Sequence, residues 1–163
     1  MRLSEGVEWG LHCATLLALV PPGGALPASK LAEYHGVPEA YLAKHLQALS
    51  RAGVVEAVPG ARGGYRLARP PDDITVLDVV EAVDGAEPAF RCSEIRRRGP
   101  AAMPDGAYRG RCGIDAVMVR ADEAWRRELR TTSIGDVARS LVRTVSPEAA
   151  EKGATWLGAA LAR

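Results

Sequence analysis

The residues of this chain whose types and spacing suit chemistry form two groups. Glu8 and His12 stand four positions apart, so on a helix their side chains share one face and can reach a common partner. The chain also has three cysteines, which are Cys13, Cys92 and Cys112. In a reducing compartment, this cysteine usage indicates a metal site, a redox role or inert burial before it indicates structural disulfides.

Each group alone also has an ordinary interpretation. A Glu and a His at this spacing are typical of a surface pair, which contributes about 0.2–0.5 kcal/mol. Cys92 and Cys112 alone are equally consistent with a disulfide switch or a zinc site. A Cys-dependent enzyme with His12 as the base is a remote alternative, because no nucleophile elbow, phosphate loop or triad pattern supports it. We therefore predict no enzymatic activity.

Composition predicts a mainly α-helical globular protein. The chain has 163 residues, of which 47% are hydrophobic but only 5% aromatic, so its core must be largely Leu, Val and Ala packed between helices. The net charge of +1 means that any binding to nucleic acid must use a local patch. No signal peptide or membrane span is expected, so a cytoplasmic location without a membrane partner is predicted.

The stretch from Val37 to Tyr65 predicts a helix followed by a wing. Pro38 suits a first helical turn, and Gly53 can end the helix in a left-handed conformation. Within this helix, leucines 42, 46 and 49 recur at helical spacing and predict its buried stripe. Valines 54, 55 and 58, a glycine-rich turn and a second short strand predict a two-stranded hairpin. Because a short helix over 28–34 precedes it, the expected arrangement is a winged helix-turn-helix.

The other elements divide the chain into three predicted parts. A first helix runs from a possible N-cap at Ser4 to the Pro21–Gly24 stretch, and Thr75 with Asp78 predicts a capped helix before Gly85. We therefore expect a DNA-binding domain over 1–85, a cysteine-bearing loop over 86–113 and dimerisation helices over 114–163. The first of these last helices has a long apolar stripe, Ser133 with Asp136 caps the next, and a final helix spans 147–162.

Several motifs together resemble the BadM/Rrf-type family of winged-helix transcriptional regulators. They are M-R-L-S-x-G-V-E at the start, G-V-P-E-A-Y-L-A-K-H-L-Q-A-L in the central helix, G-G-Y-R-L-A-R-P-P at the wing and I-T-V-L-D-V-V-E-A-V after it. The resemblance extends to about residue 145. It implies a dimeric bacterial regulator that binds a double-stranded DNA operator, and several members carry an iron-sulfur cluster.

The resemblance also implies which residues meet DNA. The start of the central helix would enter the major groove, whose base edges differ for every base pair. The family wing commonly has an Arg before its first Gly, but Pro59 stands there, so Arg62 is expected to enter the minor groove instead. The predicted DNA-binding residues are Glu39, Ala40, Tyr41, Lys44, Arg62, Gly63 and Gly64.

Finally, G-V-E-W-x-L-H-C and F-R-C-S-E-I-R resemble the actinomycete redox-sensing RsrR branch of the family. This resemblance implies a [2Fe-2S] cluster held by two Cys of one subunit and a Glu and a His of the other. The implied ligands are Cys92, Cys112, Glu8 and His12, and imidazole is a known substitute for thiolate in such clusters. Trp9 is then a candidate switch residue, whereas His35 and His45 are expected to be ordinary surface or DNA-facing residues. The alternative is a metal-free thiol-disulfide regulator.

Overall fold

The fold was analysed in a computed structural model, which describes residues 3–60 and 63–162, with the side chain of residue 105 excepted. Seven α-helices and one two-stranded antiparallel sheet are described, together with three short 3-10 turns. The helices and strands are α1 (Glu5–Leu17), α2 (Ala28–His35), α3 (Glu39–Arg51), β1 (Val55–Val58), β2 (Gly64–Leu67), α4 (Val76–Asp84), α5 (Gly113–Thr131), α6 (Ile134–Thr144) and α7 (Pro147–Leu161). This confirms the predicted mainly α-helical fold with a two-stranded wing.

Local signals set the helix boundaries. Both predicted capping boxes form, with Thr75 accepting from the Asp78 N–H and Ser133 from the Asp136 N–H. Ser4 occupies the N-cap position of α1, but its side chain does not cap the helix. Instead, the Ser4 hydroxyl donates to the carboxylate of Asp84 at 2.5 Å and ties the start of α1 to the end of α4.

Leucines from the helix-turn-helix fill the centre of the core. Leu42, Leu46 and Leu49 are fully buried on one face of α3, as their spacing predicts. The wing is joined to this body by paired hydrogen bonds between Leu26 and Tyr65, at 3.0 and 2.8 Å. Burial of these apolar side chains is the main stabilising contribution that holds α3 in place.

The C-terminal helices differ in how they are packed. Helix α5 has no buried residue, and Ile114, Val117 and Met118 expose apolar side chains along it. In contrast, α7 packs on the N-terminal helices, because Leu157 joins the core and the Trp156 ring lies 4.8 Å from that of Tyr34 on α2. No helix within the described residues is long and apolar enough to cross a membrane.

Candidate nucleic-acid interface and cysteine site

Helix α3 presents one buried face and one polar face. All four of its predicted DNA-binding residues are exposed, on the side away from the leucine stripe. The Lys44 ammonium lies 5.5 Å from the centre of the Tyr41 ring, which is 60% exposed, so a cation and an aromatic ring are presented together. The exposed residues are Glu39, Ala40, Tyr41 and Lys44. This face has the donors, acceptors and charge needed to contact base edges and phosphates.

The wing glycines have a structural role of their own. A Cβ at Gly64 would lie 2.3 Å from the backbone of Leu26, and one at Gly63 would lie 2.1 Å from the carbonyl oxygen of Val58. Both glycines therefore allow close backbone approach, and a contact between them and DNA stays a prediction. Arg62, the predicted minor-groove residue, lies outside the described residues.

Glu8 and His12 are both exposed and line the same recess on the surface of α1. His35, expected to be a surface or DNA-facing residue, is half-buried, and its ring lies 5.5 Å from that of His12. Burial lowers the pKa of His35, and the neighbouring His12 lowers it further. Glu8 and His12 thus form an open donor pair, with a second imidazole behind it.

His45 lies on α3, and its expected role as a DNA-facing residue stays a prediction. It is half-buried, and its imidazole meets the edge of the Trp9 ring at a centroid distance of 5.8 Å. A Cβ at Gly6 would lie only 2.2 Å from the same imidazole, so the absence of a side chain there makes the contact possible. Trp9 and His45 therefore join α1 directly to the predicted recognition helix α3.

The structure brings Cys92 and Cys112 together. Both are half-buried free thiols that line one pocket, close enough for Cys92 to contribute to a lowered pKa of Cys112. Hydrogen bonds from the backbone of Asp115 and Ile114, in the first turn of α5, lower the pKa of Cys112, and the charge of Arg96 adds to this effect. This environment favours a thiolate, which is the form that attacks disulfides and binds metals.

Cys13 differs from Cys92 and Cys112 in its burial and in the reactivity of its thiol. It is fully buried in the core, and burial raises the pKa of its thiol to about 12. The prediction of a packed core residue is confirmed, and Cys13 is chemically inert at neutral pH.

The four predicted cluster ligands form two pairs within one chain. Among the described residues, no group of three or more His, Cys, Asp or Glu side chains is arranged to hold a metal ion. The glutamate and histidine lie on α1, whereas the cysteines lie at the two ends of the loop before α5. Whether the pairs meet across a dimer stays a prediction.

Sequence reasoning missed the residues that connect the two cysteines. Arg96 and Tyr108 bridge the loop by hydrogen bonds and by stacking of the guanidinium on the ring. The 86–113 segment has no hydrophobic periodicity, so no signal in the sequence distinguishes these two residues from the loop's other arginines and polar residues.

The fold and the exposed face of α3 define a winged-helix DNA-binding protein. The sequence profile of the Rrf2 family, described as iron-dependent transcriptional regulators, matches residues 3–140. The chain therefore belongs to the Rrf2 family of DNA-binding transcriptional regulators. Because this family consists of regulators, the prediction that the chain is not an enzyme is confirmed.

Individual relatives agree with this assignment. The chain is 29% identical over 139 residues to YwgB of Bacillus subtilis (strain 168), named as an HTH-type transcriptional regulator, with 84% of each chain covered. It is 36% identical over 111 residues to protein aau3 of Rhizobium meliloti (strain 1021), with 68% of each covered.

Solved structures share the fold. The global cysteine regulator CymR of B. subtilis superposes with a TM-score of 0.68 at 24% identity, covering 85% of this chain and 97% of that one. T. potens IscR superposes with a TM-score of 0.67 at 23% identity, covering 90% and 92%. These matches confirm the winged-helix architecture.

Proposed function

We propose that the chain is a dimeric redox-sensing regulator of the RsrR type, which binds an operator in the cytoplasm. In this proposal, Cys92 and Cys112 of one subunit and Glu8 and His12 of the other hold a [2Fe-2S] cluster. The observation that carries the proposal is the presence of two separate donor pairs in one chain, an exposed Glu8/His12 pair and a half-buried Cys92/Cys112 pair, each of which supplies half of a ligand set.

The chemistry of the donors fits such a cluster. Each iron of a [2Fe-2S] cluster needs four ligands, of which two are the bridging sulfides, so the cluster as a whole needs four protein donors. Two thiols held side by side, with the Cys112 pKa lowered, suit one iron. An exposed carboxylate and imidazole on one helix face suit the other. When bound, the cluster would supply a one-electron redox couple.

The contacts of α1 support a route from this site to DNA. Trp9 follows Glu8 in sequence, and its ring contacts His45 on α3. A rearrangement of Glu8 or His12 would therefore move a ring that touches the recognition helix. Dimeric helix-turn-helix proteins bind two DNA half-sites about 34 Å apart, so a small displacement of α3 changes operator affinity.

The dimer itself is supported by α5. Its exposed side chains Ile114, Val117 and Met118 are 66%, 54% and 38% accessible, respectively, along a helix without buried residues. An apolar stripe of this kind favours pairing with the same helix of a second copy. In this proposal, such a dimer brings each cysteine loop, which leads directly into α5, to the partner's α1.

A mixing experiment tests the shared site. His12→Ala and Cys92→Ala homodimers should each lack complete sites and be colourless. If the two variants are unfolded and refolded together, each heterodimer regains one of its two sites. The heterodimers should therefore carry about half the cluster content of the wild-type dimer. Iron, sulfide and visible absorbance are measured without oxygen, with Cys13→Ser as a coloured control. A mixture that stays colourless would refute ligation across the dimer.

The contact between Cys92 and Cys112 also favours a second function, a metal-free thiol-disulfide switch. In that case, the wild-type protein would be colourless and metal-free but would still bind DNA. Diamide would then form a disulfide between these two cysteines and change operator affinity, and a Cys92→Ser variant would not respond.

A further inference from the structure

Side chains other than the cysteines join the two ends of the cysteine loop. Nε and Nη2 of Arg96 donate to the carboxylate of Glu94 at 2.6 and 3.1 Å. Nη2 also donates to the carbonyl of Gly110 at 2.7 Å. Because Gly110 lies just before Cys112 and Glu94 just after Cys92, Arg96 links the two cysteine-bearing segments.

Tyr108 makes two further contacts with Arg96. Its ring lies 4.8 Å from the Arg96 guanidinium, and its hydroxyl donates to the Arg96 carbonyl at 2.5 Å. The same hydroxyl accepts a hydrogen bond from the Met103 N–H at 3.2 Å. A planar guanidinium that stacks on a ring and bonds a carboxylate has little freedom left, so its charge has a defined position.

The backbone at Glu94 indicates that this arrangement is specific. Glu94 has φ of 51°, and it is the one non-glycine residue with a positive φ among those described. The left-handed conformation is unfavourable for a residue with a Cβ and persists where surrounding contacts fix it. The paired hydrogen bonds from Arg96 to the Glu94 carboxylate are such contacts.

We propose that Arg96 is the positioning residue of the cysteine pair, holding Cys92 and Cys112 side by side before any cluster binds and placing a positive charge beside their sulfurs. Both thiols interact electrostatically with Arg96. The positioning role stands on the cluster-free structure. The effect of the charge on a cluster rests on the proposed function: a reduced cluster carries one more negative charge than an oxidised one, so Arg96 stabilises the reduced form and raises the midpoint potential.

The positioning role is tested in cluster-free, reduced protein. Dibromobimane becomes fluorescent when it bridges two neighbouring thiols, so it measures how often the cysteines lie side by side. Arg96→Gln and Arg96→Lys should both lower the rate of bridging several-fold, because neither can make the forked contacts to Glu94 and Gly110. Arg91→Gln is the matched control, since Arg91 precedes Cys92 but pairs with Glu87 on its own side of the loop. Equal bridging in the Arg96 and Arg91 variants would overturn the positioning role.

The charge is tested by redox titration of cluster-loaded protein, followed by visible absorbance. Arg96→Gln should shift the midpoint potential downward, Arg96→Lys should shift it less, and Arg91→Gln should leave it near the wild-type value. Cluster-free Arg96 variants should bind DNA as the wild type does, which shows that they fold. An unchanged potential in a coloured Arg96→Gln protein would overturn the electrostatic role. A colourless wild type would refute the proposed function but leave the bridging result to decide the positioning role.

Discussion

Because the His45 imidazole lies close to Gly6, we predict that Gly6→Ala destabilises the protein when this imidazole is present and stabilises it when the imidazole is removed. An alanine Cβ at position 6 would lie 2.2 Å from Cε1 of His45, compared with about 3.5–4.0 Å for an ordinary carbon contact. The ring must therefore move by more than about 1 Å, away from Trp9 or with α3. Overpacking of this kind destabilises proteins by about 1–3 kcal/mol, so we expect Gly6→Ala to lower the free energy of unfolding by about that amount.

Removal of the imidazole should reverse this effect. In a His45→Ala background, the added Cβ meets no ring, and replacing a helical glycine by alanine then stabilises by up to about 1 kcal/mol. Equilibrium unfolding in urea of the wild type, both single variants and the double variant gives the coupling energy. All four proteins are compared without cluster and at one protomer concentration, because dimerisation and ligand binding both shift apparent stability.

Gly158→Ala is the matched control, since it lies within α7 and its Cβ would meet nothing within 4 Å. It should stabilise by up to about 1 kcal/mol in both backgrounds. If Gly6→Ala has the same effect with and without His45, α1 and α3 are not coupled through this contact. The route from Glu8 to the recognition helix would then lose its physical basis.

Three further predictions concern the wing, a helix cap and DNA. Gly64→Ala should destabilise the protein by about 2 kcal/mol or more in thermal unfolding, because its Cβ would meet the Leu26 backbone, which cannot move aside as a side chain can. Hydrogen bonds from Ser133 and the charge of Arg139 lower the pKa of Asp136 to about 2. Its contribution to stability is therefore present above about pH 4 and is lost as the pH falls through about 2, so the stability difference between wild type and Asp136→Asn should disappear in acid. Lys44→Gln should weaken binding to operator and unrelated DNA alike and reduce the salt slope by about one, as measured by fluorescence anisotropy; an unchanged slope would exclude a phosphate contact.

Local sequence predicted the elements well because their signals are local. The leucine spacing of α3 and the capping boxes at Thr75 and Ser133 act through neighbouring residues, so they were read correctly without tertiary information. Ser4 shows the limit of this approach. Its position as an N-cap was predicted, but its hydroxyl bonds to Asp84, which lies 80 residues away in sequence.

The same distinction between local and long-range signals applies to the residues of the candidate site. Spacing alone placed Glu8 and His12 on one face of a helix, because the period of a helix is fixed. By contrast, Cys92 and Cys112 are separated by an irregular loop, and no local rule brings its ends together or selects Arg96 as the residue that joins them. The ring contacts of His35 and His45 could not be predicted for the same reason, since their partners His12 and Trp9 lie on another helix.

The sequence by itself therefore determined the helices, the wing, the polar face of α3 and the residue types available for chemistry, because each depends on short-range geometry and side-chain character. The tertiary structure decided which of these residues touch. It placed Trp9 on His45, brought two thiols to one pocket beside Arg96, and left Glu8 and His12 open on α1. Such contacts depend on packing between segments distant in sequence, which no single stretch of the chain encodes.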